Sequence, residues 1–336
     1  MRISLKNSLQ KIGETQTAKY RLILPDLFDS MPQSSNFRNP ASLKQAVYAM
    51  HSPEPQGKVS EGEYRDNWTR NSQGVTNDGN FWYFSSNKKR YAGGIVQTEK
   101  RGIYKFSKDM RKQLAFFGVD DPWNIDHIGG IDHYRGIIYT AIEAPEDRVH
   151  PPGILTVSTR FNRSTAKLTE LNGPQGNSIP WCAINPWNGL LYSSEFGDIG
   201  KDKDKPPVQT IYAYDPNDNF RYIKSKNITL SKTIRRVQGG CFSENGHLIL
   251  SSDHSKDIRY YSALNGFYLG RSSIQSKDGE EVEGVSIWKN YIHKNKKSHV
   301  HVILWEKASW KRVTFWDAGD TKIWFKHYSV KHPEYL

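Results

Sequence analysis

Ten positions in this chain of 336 residues recur at a common spacing and carry side chains that could do chemistry. Five open short apolar runs: Gln73, His127, Trp181, Gln238 and Glu283. Five close the run that follows: Asn87, Glu143, Glu195, Asp253 and Glu306. Nine of the ten are polar and five are carboxylates, and carboxylates gathered at one place repel and raise one another's pKa. Such a cluster persists only with something to offset it: a cation, a protonated partner, a basic side chain or water. Three chemistries follow. A hard divalent ion, Ca2+ above all, would take oxygens from Glu195, Asp253 and Glu283, with Gln73 and Gln238 as further donors. His127 beside a carboxylate, with Glu283 and Glu195 as partners, could act as general base and acid. Two carboxylates at a suitable separation could cleave a glycosidic bond. Against all three stands a solvated channel mouth, held by hydrogen bonds and water. In the enzymatic readings Gln73, Gln238, Asp253 and Glu143 orient the substrate, and Trp181 is an apolar platform at the rim.

A repeat is what would bring these positions together. Val237–Asp253 reads VQGGCFSENGHLILSSD; His127–Glu143 reads HIGGIDHYRGIIYTAIE. Trp181–Glu195 (WCAINPWNGLLYSSE) and Gln73–Asn87 (QGVTNDGNFWYFSSN) follow the same plan. Each is a strand, a tight turn and a returning strand. The turn glycines Gly79, Gly136, Gly189 and Gly246 lie 57, 53 and 57 residues apart. Strand-rich units at that period predict a β-propeller. There the innermost strand of each blade starts on the face that carries the blade-to-blade crossovers, and the second strand returns to that face. The ten positions therefore converge at one mouth of the central channel.

The expected fold is all-β: a five-bladed propeller of four-stranded antiparallel blades over residues 69–336. The blades lie near 73–118, 127–171, 181–223, 238–270 and 283–328. In the last of them His299–Trp305, Arg312–Trp316 and Lys322–Tyr328 follow the inner strand, and a Lys-rich loop replaces the first turn. Residues 1–68 form an N-terminal arm or cap, with Tyr20–Leu24 a strand that could close the ring, Asn39–Met50 a short helix and Ser52–Tyr64 a loop. Six blades result if Tyr20–Leu24 belongs to a further partial unit. On these segments the chain resembles the β-propeller superfamily, in the neighbourhood of the lactonase/arylesterase-like and five-bladed glycosidase-like propellers. The resemblance covers the last three quarters of the chain and is one of repeat architecture. It brings no active-site residue with it, since there is neither a WD dipeptide nor a kelch Gly-Gly signature in register.

Composition narrows the rest. Aromatic residues make up 12% of the chain, which suits many small layers packed by flat rings and argues against disorder. The net charge is +12, yet the lysines fall in loop clusters (88–90, 201–205, 294–297) and form no stripe with interleaved aromatics, so nucleic acid is not the expected partner. No apolar run is long enough to span a membrane, and the first residues carry no apolar signal core. The protein is expected in the cytoplasm, or outside the cell if a leader has been removed. Cys182 and Cys241 read as buried free thiols. No nucleotide or organic cofactor is expected, because P-loop, dinucleotide, GxSxG and zinc spacings are missing from the sequence. Asp198, Asp202 and Asp204, interleaved with lysines, read as a solvated loop. His133, His254, His299 and His301 are weaker candidates than His127, and His299 with His301 share one strand face. The function expected is an enzyme for a small oxygen-rich or sugar-like molecule, acting by hydrolysis, elimination or isomerisation. The alternative is a non-catalytic propeller that binds carbohydrate or protein.

Overall fold

The computed structural model describes residues 54–55 and 72–336, apart from 88–89, 93–94, 98–100, 120–122, 124, 126, 144–151, 177, 198–205, 275, 277, 294–295, 307–321 and 330–335. Tyr20–Leu24, Asn39–Met50, Arg312–Trp316 and the Asp198–Asp204 loop lie outside the described residues. What is described is all strand and turn, with two single-turn 3-10 segments. Blade 1 runs Ser72–Asn77, Phe81–Ser86, Gly102–Ser107 and Gln113–Gly118 from the axis outward; blade 2 runs His127–Tyr134, Ile137–Glu143, Gly153–Ser158 and Lys167–Glu170. Blade 4 is Val237–Phe242, His247–Ser252, Asp257–Ser262 and Tyr268–Ser273. All these neighbours pair antiparallel.

Two blades depart from expectation. In blade 3 the inner pair is short, Ala183–Ile184 and Leu191–Ser193, while the third strand, Val208–Asp215, is long enough to pair with both Arg221–Tyr222 and Ile228–Ile234. In blade 5 the first two strands, Glu280–His293 and Lys296–Glu306, run on past the end of the sheet where a Lys-rich loop is expected. Lys322–Tyr328 is the third strand of that blade, not the fourth. The fourth is Glu54–Pro55, antiparallel to it. Glu54–Pro55 thus closes the ring, although the stretch Ser52–Tyr64 reads as loop because it holds two prolines, Pro55 among them, and two glycines.

The reason the strands become blades is alternation. In FWYFSS the rings of Trp82 and Phe84 point to one face and Tyr83 to the other, as the two-residue period of a strand requires. Trp82 and Phe84 pack with Trp288, Tyr291, Ile303 and Phe325 of blade 5, whereas Tyr83 packs with Ile128, Ile131 and Ile138 of blade 2. Three further clusters fill the spaces between blades 2 and 3, 3 and 4, and 4 and 5. A cluster joining blade 5 to blade 1 is what makes the arrangement a closed propeller. No single blade could bury both of its faces.

Candidate functional site

The inner strands reach the axis through a shared irregularity. Register slips fall between Ser72 and Gly74, Ile128 and Ile131, Val237 and Gly239, and Val282 and Val285. These are bulges, which bend a strand and re-aim its side chains. They hold Gln73, Gln238 and Glu283, three of the expected site residues. Glycine follows each because the strands touch there. A Cβ on Gly74 would lie 2.6 Å from the Ile131 nitrogen and 2.7 Å from the Gly130 Cα, and one on Gly284 would lie 2.8 Å from the Gly74 Cα. The fifth position is Trp181. Its ring fills the space over Gly240, it is fully buried, and its Nε1 donates to Ser194 Oγ at 2.9 Å. At this level the axis is filled with main chain and one indole. Trp181 is therefore a buried wedge, not a platform at an open rim.

On the crossover face the ends of the second strands have diverged in role. Asn87 is buried and grips the next blade twice, accepting from the Ile128 N–H at 2.6 Å and donating to the Ile128 carbonyl at 2.8 Å. Asp253, 2% exposed, does the same for blade 5 by accepting from the Val282 N–H at 2.9 Å. Its carboxylate is also ion-paired with Arg236 Nη1 at 3.1 Å and with Lys256. Two cations and an amide already offset this charge, so Asp253 does not fit the expected role of metal ligand or substrate-orienting group. Among the described residues no three His, Cys, Asp or Glu side chains gather as a metal site would require. Glu195, Asp253 and Glu283 are not gathered into one such group. Glu195 is half-buried and stands near Tyr212 of its own blade; burial first, and then the Glu195 charge, raise that phenol's pKa.

His127 and Glu143 are brought together. They face each other across the first pair of strands in blade 2, with Nε2 and Oε2 3.4 Å apart and side chains 35% and 23% exposed. Ser178, on the crossover into blade 3, donates to Glu143 Oε1 at 3.3 Å and accepts from the Phe196 N–H at 3.2 Å. Nothing in the sequence singles out Ser178, which sits in an irregular stretch and reaches Glu143 only through the fold. Glu283 is 1% exposed, and its carbonyl accepts from Ser251 Oγ at 2.6 Å. Gln73 is buried and Gln238 half-buried in the equivalent bulges.

The opposite end of the axis, where the tight hairpins are, holds a cavity of about 420 Å³ that all five blades line. At its floor Asp132 Oδ1 accepts from the His133 N–H at 2.8 Å and from Thr76 Oγ1 at 3.3 Å, and Oδ2 accepts from the Ile184 N–H at 2.8 Å. Sequence reasoning that looks only at the first residue of each inner strand passes over Asp132. The available signal is that Asp132 lies two residues beyond Gly130, and Thr76 two beyond Gly74, so each shares the axial side of its strand.

Cys182 and Cys241 are free and buried, and burial pushes both thiols well above their usual pKa. His299 and His301 are core residues; His301 meets His327 across the sheet instead of joining His299 around a metal. No helix among the described residues is long and apolar enough to cross a membrane.

No protein-family model matches the sequence, and no curated protein matches it. Solved structures do. The chain is similar to the glutaminyl cyclase of Myxococcus xanthus at 10% identity and a TM-score of 0.47, over 84% of this chain and 96% of that one. It is similar to the PQQ-bound aldose sugar dehydrogenase of Streptomyces coelicolor at 13% identity and 0.47, over 84% and 100%. It is similar to a streptogramin B lyase at 10% identity and 0.38, over 82% and 74%. Identities this low carry no site residue from one chain to another.

Proposed function

We propose that this protein is a propeller enzyme that moves a proton on a small oxygen-rich molecule, in a hydrolysis, elimination or isomerisation, with His127 and Glu143 as the working pair. The observation that carries this reading is the half-exposed contact of the two side chains at the face where the inner strands begin. With Nε2 held at Glu143, the imidazole exchanges a proton with the substrate, and the carboxylate stabilises the imidazolium that forms. Ser178 holds Glu143 from its other oxygen. Gln238, half-buried in its bulge, offers an acceptor to a hydroxyl group, while Gln73 and Glu283 are buried in the equivalent bulges of the neighbouring blades. Support also comes from the loops. The second strands of blades 1, 2, 3 and 5 end on this face, with 15, 9, 14 and 15 residues before the third strand begins, whereas the hairpins of blades 1 to 4 opposite are tight. Binding and catalytic residues concentrate where long connections are held by a rigid scaffold.

The test is a turnover screen against lactones, esters and hydroxy acids, with wild type beside His127→Asn, Glu143→Gln and Glu283→Gln. Loss of a general base should reduce turnover about 10²–10⁴-fold in His127→Asn, with a smaller loss in Glu143→Gln. Undiminished turnover in His127→Asn would defeat the assignment. Sugar binding that survives all three substitutions, with no turnover in wild type, would instead identify a binding propeller.

A further inference from the structure

The cavity on the hairpin face is unused by the reading above and stands apart from it. Its walls are Asn77 and Thr76 from blade 1, Tyr134 from blade 2, Phe242 from blade 4, and Ser286 and Trp288 from blade 5. Its volume of about 420 Å³ falls within the range of pockets that take small organic ligands, roughly 300–1,000 Å³. The geometry points to a second binding site here, for a small organic ammonium ion held by the Asp132 carboxylate against the Tyr134, Phe242 and Trp288 rings.

Three observations support that chemistry. First, the cavity runs against the charge of the molecule. The chain carries +12, yet the cavity is lined by Asp78, Asp132 and Glu244 against a single lysine, Lys289, which is itself 3.4 Å from Glu244 Oε2. Second, the floor carboxylate is short of a partner for its charge. Its three donors are two amides and a hydroxyl, all neutral, and they leave room for a further donor at Oδ2. Its enclosed position pushes its pKa up to about 6 despite those bonds, so a bound cation would relieve a penalty the fold already carries. Third, apart from Lys289 the titratable groups lining it supply no cation; Arg135 and Lys108, which lie outside the lining, stand over the Tyr134 and Trp288 rings at 5.0 and 5.1 Å. Burial lowers the His133 pKa, with Asp78 opposing, and the Tyr139, Cys182 and Cys241 groups are all shifted upward, so they stay neutral near pH 7. Aromatic faces beside a half-buried carboxylate suit an ammonium with an apolar body.

The experiment is calorimetric titration with ethylamine, 1,4-diaminobutane, benzylamine and phenethylamine, each beside its matching alcohol. At least one amine should bind about tenfold or more tightly than its alcohol, since the carboxylate and the rings favour the charge. That preference should fall away as the pH drops below about 6 and Asp132 takes a proton. Asp132→Asn should remove the preference, with thermal unfolding as the check that the variant is folded. Glu244→Lys, at an exposed rim position, reverses a charge without touching the floor, and should weaken amine binding several-fold in low salt. Equal affinity for amines and alcohols, or an amine preference intact in folded Asp132→Asn, would overturn the proposal. Should Asp132→Asn fail to fold, unchanged amine affinity in Glu244→Lys would do so.

Discussion

Residue type does not fix residue role when the fold has two uses for the same side chain. Glu143 and Asp253 occupy equivalent places at the ends of second strands. One meets a histidine and a serine and remains partly exposed, whereas the other is buried between two cations and an amide. Asp253 is therefore assigned a structural role with a measurable size. Its removal strands the Val282 N–H, leaves Lys256 without its carboxylate and leaves Arg236 with Glu281 alone, at 3.8 Å. Breaking a buried pair costs about 3–5 kcal/mol, and because both cations are one-third exposed, the loss in Asp253→Ala should lie nearer 2–3 kcal/mol. Urea unfolding measures it. Millimolar calcium should move neither wild type nor variant; stabilisation of wild type by calcium, lost in Asp253→Ala, would restore the metal reading.

At the scale of the element, the repeated unit is a bulged inner strand with glycine at its tightest point. Contact between main chains from different blades sets that requirement. It is why Gly74 and Gly284, which neither turn nor adopt a left-handed conformation, have no room for a side chain. Gly74→Ala would put a methyl against the Gly130 and Ile131 backbone, which cannot move without shifting a neighbouring blade. Overpacking of this kind costs about 1–3 kcal/mol, and the upper end is expected here. Gly79→Ala is the control. Gly79 has an open turn position with φ +85°, so the substitution strains the turn but meets no neighbour. Chemical denaturation should rank Gly74→Ala well below Gly79→Ala in stability, and the reverse order would mean that the blades do not close as tightly as described.

Across the whole molecule, two enclosed groups in different blades, His301 buried and Asp132 half-buried, respond to acid in opposite directions. His301 lies among Trp82, Tyr291 and Phe325, with Nδ1 2.5 Å from Nδ1 of His327. Burial above all holds its pKa down to about 3 against an ordinary 6.5. Between those values the unfolded chain binds a proton that the native one does not, so this group's stabilisation is lost as the pH falls below 6.5. Asp132 is the reverse, with a pKa of about 6 against 3.8: the native state binds the extra proton, and its contribution declines as the pH rises through that window. From pH 4 to 6 the two effects oppose each other. Asp132→Asn removes one of them, so its unfolding free energy should depend more steeply on pH than that of wild type, by up to about 1.4 kcal/mol per pH unit. Parallel pH profiles for the two proteins would show that Asp132 does not titrate as its surroundings dictate.

The sequence alone determined the repeat, the five blades and the face on which His127 and Glu143 sit. Those features are local: alternating apolar residues, a turn glycine and a strand end are all written within some seventeen consecutive residues. The tertiary structure decided everything that depends on contact between distant segments. It made Glu54–Pro55 the closing strand, since one strand edge is paired by whichever segment reaches it and prolines do not forbid an outer position. It turned Trp181 from a candidate platform into a wedge, because only the ring closure shows that the axis at that level is full. It separated Glu143 from Asp253, and it placed Asp132 beside Thr76 and Ile184, 56 and 52 residues away. Polarity is encoded residue by residue, but whether a polar group is left for a ligand depends on which neighbours the closed ring has already given it.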